Sequence, residues 1–374
     1  MNQHHLRKYI FAPAILALGI ASVCSAGTNT FREIDLVSDI SGRALRTDPN
    51  LVNPWGISAG PATPIWVSDA GKALATVYNT SGTPLPLVVS IPGSPFSEPT
   101  GQVFNSTTAF NGDRFIFANT NGSISGWRGA LGTTAEIISP SDGGAYTGLA
   151  LGTIGSDSYL YAADFKNNKI DVVGSTGAPS LTGGFVDPMV PMGFAPFNVQ
   201  NLAGQIYVTY AKVGDDGEDE PGPGNGFVSV FDLNGNLLKR LATGGALNSP
   251  WGLAIAPAGF GNVGGNLLVG NFGDGTINAY DLMTGDFVDS LRDNWGNPIA
   301  IDGLWGIQFG NGGAGGDRDK LYFAAGIEDE THGLFGAITP VPEASTIYGG
   351  AALLGFCGAM FWKRRKAAKA KAAA

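Results

Sequence analysis

Asn53-Pro54-Trp55-Gly56-Ile57 returns as Ser249-Pro250-Trp251-Gly252-Leu253 and again as Gly303-Leu304-Trp305-Gly306-Ile307. Three looser copies stand between them: Pro99-Thr100-Gly101-Gln102-Val103, Tyr146-Thr147-Gly148-Leu149 and Pro196-Phe197-Asn198-Val199. Successive copies are about 50 residues apart, the period of propeller blades. Each is followed by an apolar run that ends in a small or polar residue, and then by a second run. The pairs are 65–69 with 75–78, 115–119 with 123–127, 160–164 with 169–173, and 267–271 with 276–280. β-Branched and aromatic residues fill these runs, and Gly, Asn and Asp punctuate them, as hairpins require. No stretch of this region carries a helical period.

Composition agrees with that reading. Of 374 residues 57 are Gly, while only 14% are charged. Many tight turns need residues that reach positive φ without a steric penalty, and glycine supplies them. The stretch Phe31-Arg32-Glu33-Ile34-Asp35-Leu36-Val37 precedes the first full repeat, so it is expected to serve as the outer strand of the last blade and close the ring. The expectation for 27–340 is one all-β domain: a six-bladed β-propeller of four-stranded antiparallel blades, with the N-terminal strand closing the last blade.

The two ends read differently. Residues 1–26 combine Arg7 and Lys8, an apolar run and a small-residue site at Cys24-Ser25-Ala26, the pattern of a signal peptide. Residues 341–366 run from Val341-Pro342-Glu343 through an apolar stretch at 347–362 to Lys363-Arg364-Arg365-Lys366, and an Ala/Lys tail occupies 367–374. Sixteen apolar residues reach only about 24 Å as a helix, a marginal transmembrane helix, and the basic cluster places the C-terminus on the cytoplasmic side. Without its ends, the 27–340 body has 14 basic and 30 acidic side chains, a net charge of −16, and no Cys. Such a body disfavours nucleic acid as a partner.

The C-terminal pattern resembles the PEP-CTERM sorting signal of Gram-negative bacteria. Ala344 stands where a second Pro is commonest in that signal. The resemblance implies Val341, Pro342 and Glu343 as a sorting and processing motif, an exosortase-type protease as partner, and hosts that make exopolysaccharide and biofilm. It also implies export across the inner membrane, an initial membrane anchor, and a final site at the envelope surface or in the extracellular matrix. The repeat resembles the NHL family, best at Pro54-Trp55-Gly56-Ile57 with Asp69, and at Asp164 with Asn168, Ile170 and Gly174. The whole chain looks like an uncharacterised bacterial family of PEP-CTERM-sorted propellers, a resemblance that brings no established activity.

Candidate chemistry is sparse. Gly259-x-Gly261-x-x-Gly264 and Gly310-x-Gly312-x-x-Gly315 match the dinucleotide pattern but are followed by strands, so they read as blade loops. Gly56-Ile57-Ser58-Ala59-Gly60 matches a nucleophile elbow, yet Ser58 falls in a strand and His332 is the only histidine of the body. Asp69, Asn119, Asp164 and Asn271 hold one repeat position in four blades: they either cap their hairpin turns or line a channel as Ca²⁺ ligands. No other cofactor is expected. Trp55, Trp251 and Trp305 share a place beside Gly, which suits blade-to-blade packing or stacking on sugar rings at the channel mouth. The acidic insertion 214–226 is a surface loop that either binds Ca²⁺ or is solvated. Together these features predict an exported binding or structural module, with envelope components such as exopolysaccharide as partners. The alternative is a Ca-dependent lactonase or other hydrolase, by resemblance to gluconolactonase-type propellers.

Overall fold

The structure is a computed structural model and describes residues 30–93 and 97–341. The expected signal peptide at 1–26, Pro342, Glu343, the apolar stretch and the Ala/Lys tail lie outside the described residues. No helix among the described residues is long and apolar enough to cross a membrane.

Six sheets are arranged around an axis, each beginning with one copy of the repeat. Blade 1 is Pro54–Ser58, Ile65–Asp69, Leu74–Tyr78 and Val89–Ser90, and blade 2 is Pro99–Phe104, Phe115–Asn119, Ile124–Trp127 and Glu136–Ser139. Blade 4 comprises Phe194–Leu202, Gln205–Lys212, Gly226–Phe231 and Leu237–Thr243; blade 5 comprises Pro250–Ile255, Leu267–Asn271, Ile277–Tyr280 and Phe287–Ser290. Blade 6 takes Leu304–Phe309, Leu321–Ala325 and Leu334–Pro340 from the C-terminal end and Phe31–Ser38 from the N-terminal end. The closure expected from the sequence is present: Phe31 pairs with Pro340 and Ser38 with Leu334. The N–H of Val341 also donates to the Thr30 carbonyl at 2.9 Å, so the chain enters and leaves the domain side by side.

Two details depart from a uniform four-stranded pattern. A two-residue strand, Arg46–Thr47, pairs in parallel outside Phe31–Ser38. Blade 3 has three strands, Tyr146–Ile154, Asp157–Asp164 and Lys169–Gly174. The chain after it is rich in Gly and Pro and crosses instead to blade 4, where the N–H of Phe185 bonds the Gly235 carbonyl at 3.0 Å. The Phe185 ring then packs between Tyr161 of blade 3 and Phe231 of blade 4, at centroid distances of 5.3 and 5.5 Å.

A four-stranded blade has no interior of its own, so its apolar faces must be buried against its neighbours. The core accordingly divides into one cluster per junction. Trp66 and Phe115 meet between blades 1 and 2, Leu149 and Leu160 lie with Ile116 between blades 2 and 3, and Leu268 and Phe323 lie between blades 5 and 6. A seventh cluster sits on the axis and is almost wholly aromatic or alanine.

The innermost strands approach one another through glycine. A Cβ on Gly56 would lie 2.5 Å from the Thr100 carbonyl oxygen of blade 2, and one on Gly101 would lie 2.4 Å from the Leu149 nitrogen of blade 3. Gly252 and Gly306 stand in the same relation to the Trp305 and Trp55 carbonyls, each at 2.6 Å. Asn198 takes this position in blade 4 and donates its amide to the Trp251 carbonyl at 2.7 Å, a side chain spanning the junction to blade 5.

Candidate functional site: a blind axial funnel

Every innermost strand has a bulge just after the first residue of the repeat, between Pro54 and Ile57 in blade 1 and between Pro196 and Asn198 in blade 4, for example. A bulge re-aims the side chain it carries. Here the re-aimed residues are Trp55, Thr100, Thr147, Phe197, Trp251 and Trp305. The structure brings the three tryptophans together on the axis, where each is less than one-tenth exposed. Trp55 stacks on Trp305 with centroids 3.5 Å apart, Trp305 stacks on Phe272 at 4.0 Å, and Trp251 meets Trp305 edge-on at 5.7 Å. Their indole N–H groups are also occupied: Trp55 donates to Asn53 Oδ1 at 3.1 Å, Trp251 across the axis to the Thr147 carbonyl at 3.0 Å, and Trp305 to Glu330 Oε1 at 3.1 Å. The rings close one end of the axis, and their faces are spent largely on one another.

The other end is open. The distal parts of the innermost strands enclose a cavity of about 350 Å³, with Trp251 among its lining residues. All its polar lining side chains are uncharged: Ser58, Gln102, Asn198, Gln200, Asn201 and Gln308. Several of them staple blades together. Gln102 Nε2 donates to the Gly56 and Trp66 carbonyls, both at 2.7 Å; Asn201 donates to the Leu151 carbonyl at 2.8 Å; and the Gln308 amide reaches the Ile57 carbonyl at 3.0 Å and the Ala59 N–H at 3.2 Å. What remains free is specific. Ser58 Oγ and Gln102 Oε1 are buried without a hydrogen-bond partner, on side chains only 6% exposed. The Gln200 amide has no side-chain hydrogen bond among the described residues. A buried polar atom without a partner is costly unless a ligand or water completes it.

The sequence pattern did not single out these amides, although a signal for them exists. Gln102 stands where the other copies have Ile, Leu or Val, and Asn198 stands where the other five have Gly. Ser58 completes a nucleophile-elbow pattern in the sequence. It lies on the innermost strand of blade 1, whereas His332 is held by Asp39, Nδ1 to Oδ2 at 2.7 Å.

Asp69, Asn119, Asp164 and Asn271 end the second strands of blades 1, 2, 3 and 5 and are fully buried. Three are engaged with nearby turns. Asn119 donates to the Ser123 carbonyl and hydroxyl at 3.1 Å, Asp164 accepts from the Asn167 side chain at 2.7 Å, and Asn271 donates to the Ala246 carbonyl at 2.8 Å. Asp69 differs, since neither carboxylate oxygen has a hydrogen bond of ordinary geometry. Burial pushes its carboxyl well above the usual carboxylate range, opposed by nearby Thr76 and reinforced by Asp48. Among the described residues no group of three or more His, Cys, Asp or Glu is placed to hold a metal ion. The acidic loop is pinned: its Gly222 N–H donates to Asn248 Oδ1 at 2.7 Å and Glu220 pairs with Lys212 at 2.7 Å.

Beside the ring cluster, Glu328, Asp329 and Glu330 form a run of three left-handed residues, with φ of 55°, 52° and 61°. Such a conformation is unfavourable for residues with a Cβ and needs support from its surroundings. Here it delivers Glu330 to the Trp305 indole. Burial pushes Glu330 up to about 7, opposed by hydrogen bonds from Trp305 and Asn53 and assisted by the negative charges of Asp219 and Glu218. Burial likewise raises Asp219 to about 6 and Glu33 to about 7, the latter with Asp35 adding to the shift. Between the ordinary Glu value of 4.5 and about 7 the folded protein therefore holds protons that the unfolded chain has released, and stability falls as pH rises. His332, raised by Asp39, acts in the same sense, because its contribution is lost as pH climbs through the folded value. At the acid end Asp187 and Glu136, whose pKa values Arg240 and Arg128 lower, lose their contributions as they protonate. The melting temperature is expected to peak at about pH 5, declining toward pH 8 and again below about pH 4. A melting temperature that climbs steadily from pH 5 to 8 would contradict these assignments.

No protein-family model matches the chain. Uncharacterized protein R648 of Acanthamoeba polyphaga mimivirus is 31% identical over 325 residues, covering 81% of this chain and 78% of that protein. Uncharacterized protein L690 of the same virus is 30% identical over 327 residues, covering 81% and 84% respectively. Among solved structures, a streptogramin B lyase aligns with a TM-score of 0.49 at 12% identity, over 83% of this chain and 97% of that one. A nidogen/laminin complex aligns with a TM-score of 0.47 at 14% identity, over 75% and 95%.

Proposed function

The chain belongs to the same family as the mimivirus proteins R648 and L690, and we propose that it is an exported binding module, sorted through a PEP-CTERM-type tail, whose ligand site is the axial funnel. The observation that carries this reading is the pair of unpartnered polar atoms, Ser58 Oγ and Gln102 Oε1, on residues lining a preformed cavity with one closed end. Preformed concavity with a few convergent polar groups is the usual form of a small-ligand site. The lining has no acid, base or thiol, and so no group to transfer a proton or to activate the Ser58 hydroxyl as a nucleophile, which favours binding over turnover. A calcium-dependent lactonase draws less support. Its candidate ligands Asp69, Asn119, Asp164 and Asn271 stand in separate blades at their hairpin turns, and aromatic rings fill the axis.

The placement of the ends suits a tethered module. Leu334–Pro340 runs in the same sense as Leu304–Phe309, so Thr30 and Val341 leave the domain on the funnel face. A chain held by its C-terminal tail turns that face toward the membrane, and release by an exosortase-type protease frees it. The purified 27–340 body is expected to bind a neutral exopolysaccharide fraction of its host in calorimetry, with no dependence on Ca²⁺. The mature protein recovered from the envelope is expected to have lost 1–26 and the segment after 341. Recovery of the unprocessed chain from the cytoplasm, or Ca²⁺-dependent lactone hydrolysis by the body, would overturn the proposal.

A further inference from the structure

We infer that the funnel recognises the uncharged end of a neutral saccharide chain, an inference that rests on the funnel being the ligand site. The cavity is closed by Trp55, Trp251 and Trp305, so a polymer cannot thread the axis and must present a terminus or a branch tip. The identity of that terminus follows from charge. A peptide ends in an ammonium or a carboxylate, and a nucleic acid carries phosphate along its length. Either would need a countercharge on burial, since an unpaired buried ion is strongly disfavoured. The funnel lining contains no charged side chain. Acidic polysaccharides are further opposed by the −16 charge of the 27–340 body. A neutral sugar end remains, with hydroxyl groups that both donate and accept.

The free groups match that chemistry. Gln102 Oε1 is an unpartnered acceptor and Ser58 Oγ can give or take a hydrogen bond, both sealed within the lining so that a side-chain shift must expose them to a hydroxyl, and the half-buried Gln200 amide offers both roles at the cavity surface. The funnel also continues outward. A groove of about 300 Å³ between blades 4, 5 and 6 shares Gln200, Asn201, Ile307 and Gln308 with it. A terminal sugar in the funnel therefore leads its neighbour into the groove, with Gln200 at the junction of the two.

The test uses the folded 27–340 body and a panel of linear neutral oligosaccharides of glucose, mannose and galactose, two to seven units long. β-Cyclodextrin, a closed ring without an end, and oligosaccharides ending in a uronic acid serve as comparisons. At least one linear neutral series is expected to bind, with affinity that stops rising after about two or three units, while the closed ring and the acid-terminated chains bind at least tenfold more weakly. Gln200→Ala is expected to weaken binding about tenfold, the loss of roughly one hydrogen bond, with the melting temperature unchanged. Equal binding of β-cyclodextrin and the linear glucose series, preference for acid-terminated chains, or failure of every linear neutral series would overturn the inference. If acid-terminated chains bind and Gln200→Ala weakens them, the funnel remains the ligand site and only the assignment of its ligand fails. If linear neutral chains bind and Gln200→Ala leaves them unaffected, the funnel itself is wrong.

Discussion

Gly101→Ala is expected to destabilise the propeller by at least about 3 kcal/mol, the upper range for forcing an extra methyl into a packed interior. The added Cβ would stand 2.4 Å from the Leu149 nitrogen and 2.7 Å from the Gly148 carbonyl carbon, both backbone atoms of blade 3. No side chain can swing away to make room. Blade 3 would have to withdraw from blade 2 at the axis, weakening the Thr100 hydroxyl bond to the Tyr146 carbonyl at 2.7 Å and the Leu149 and Ile116 contacts behind it. The melting temperature should drop by about 6 °C or more. Gly129→Ala is the control, since a Cβ there meets nothing within 4 Å and the backbone needs no positive φ. It should change stability by no more than about 0.5 kcal/mol. Similar effects from the two substitutions would mean that the blades do not meet as closely as the glycine ring requires.

That ring shows why the fold was largely legible in the sequence. The Trp-Gly pairs at Trp55-Gly56, Trp251-Gly252 and Trp305-Gly306 mark the two demands of the axis, an aromatic filler and a residue without a Cβ. Both demands are local in sequence and recur with the blade period. The closing strand was legible as well, because Phe31–Ser38 has strand chemistry but no repeat of its own to complete. The missing fourth strand of blade 3 was less so, since it depends on Phe185 docking into a junction that exists only after folding.

The site was legible only in part. Asp69, Asn119, Asp164 and Asn271 stand out in the sequence through repetition, and repetition reports what every blade needs rather than what one ligand needs. A ligand site on a pseudo-symmetric scaffold lies where the copies differ. Gln102 and Asn198 are such differences, but which of their atoms stay free depends on distances between blades. Gln102 spends its Nε2 on Gly56 and Trp66 and keeps Oε1. No pattern along the chain carries that information. The same holds for Glu330, whose raised pKa comes from burial beside Trp305, a residue 25 positions away.

The largest effect on binding is expected from filling the funnel. Gln200 lines both the cavity and the groove beyond it, is half-buried, and holds no blade together through its side chain. Gln200→Trp places an indole in the cavity while leaving the staples of Gln102, Asn198, Asn201 and Gln308 intact. The most direct measurement is therefore a calorimetric titration of Gln200→Trp, melting within a few degrees of the parent, with the neutral oligosaccharide that the parent binds. The blind funnel as ligand site predicts that no heat of binding remains. Undiminished binding by the folded Gln200→Trp protein would contradict it.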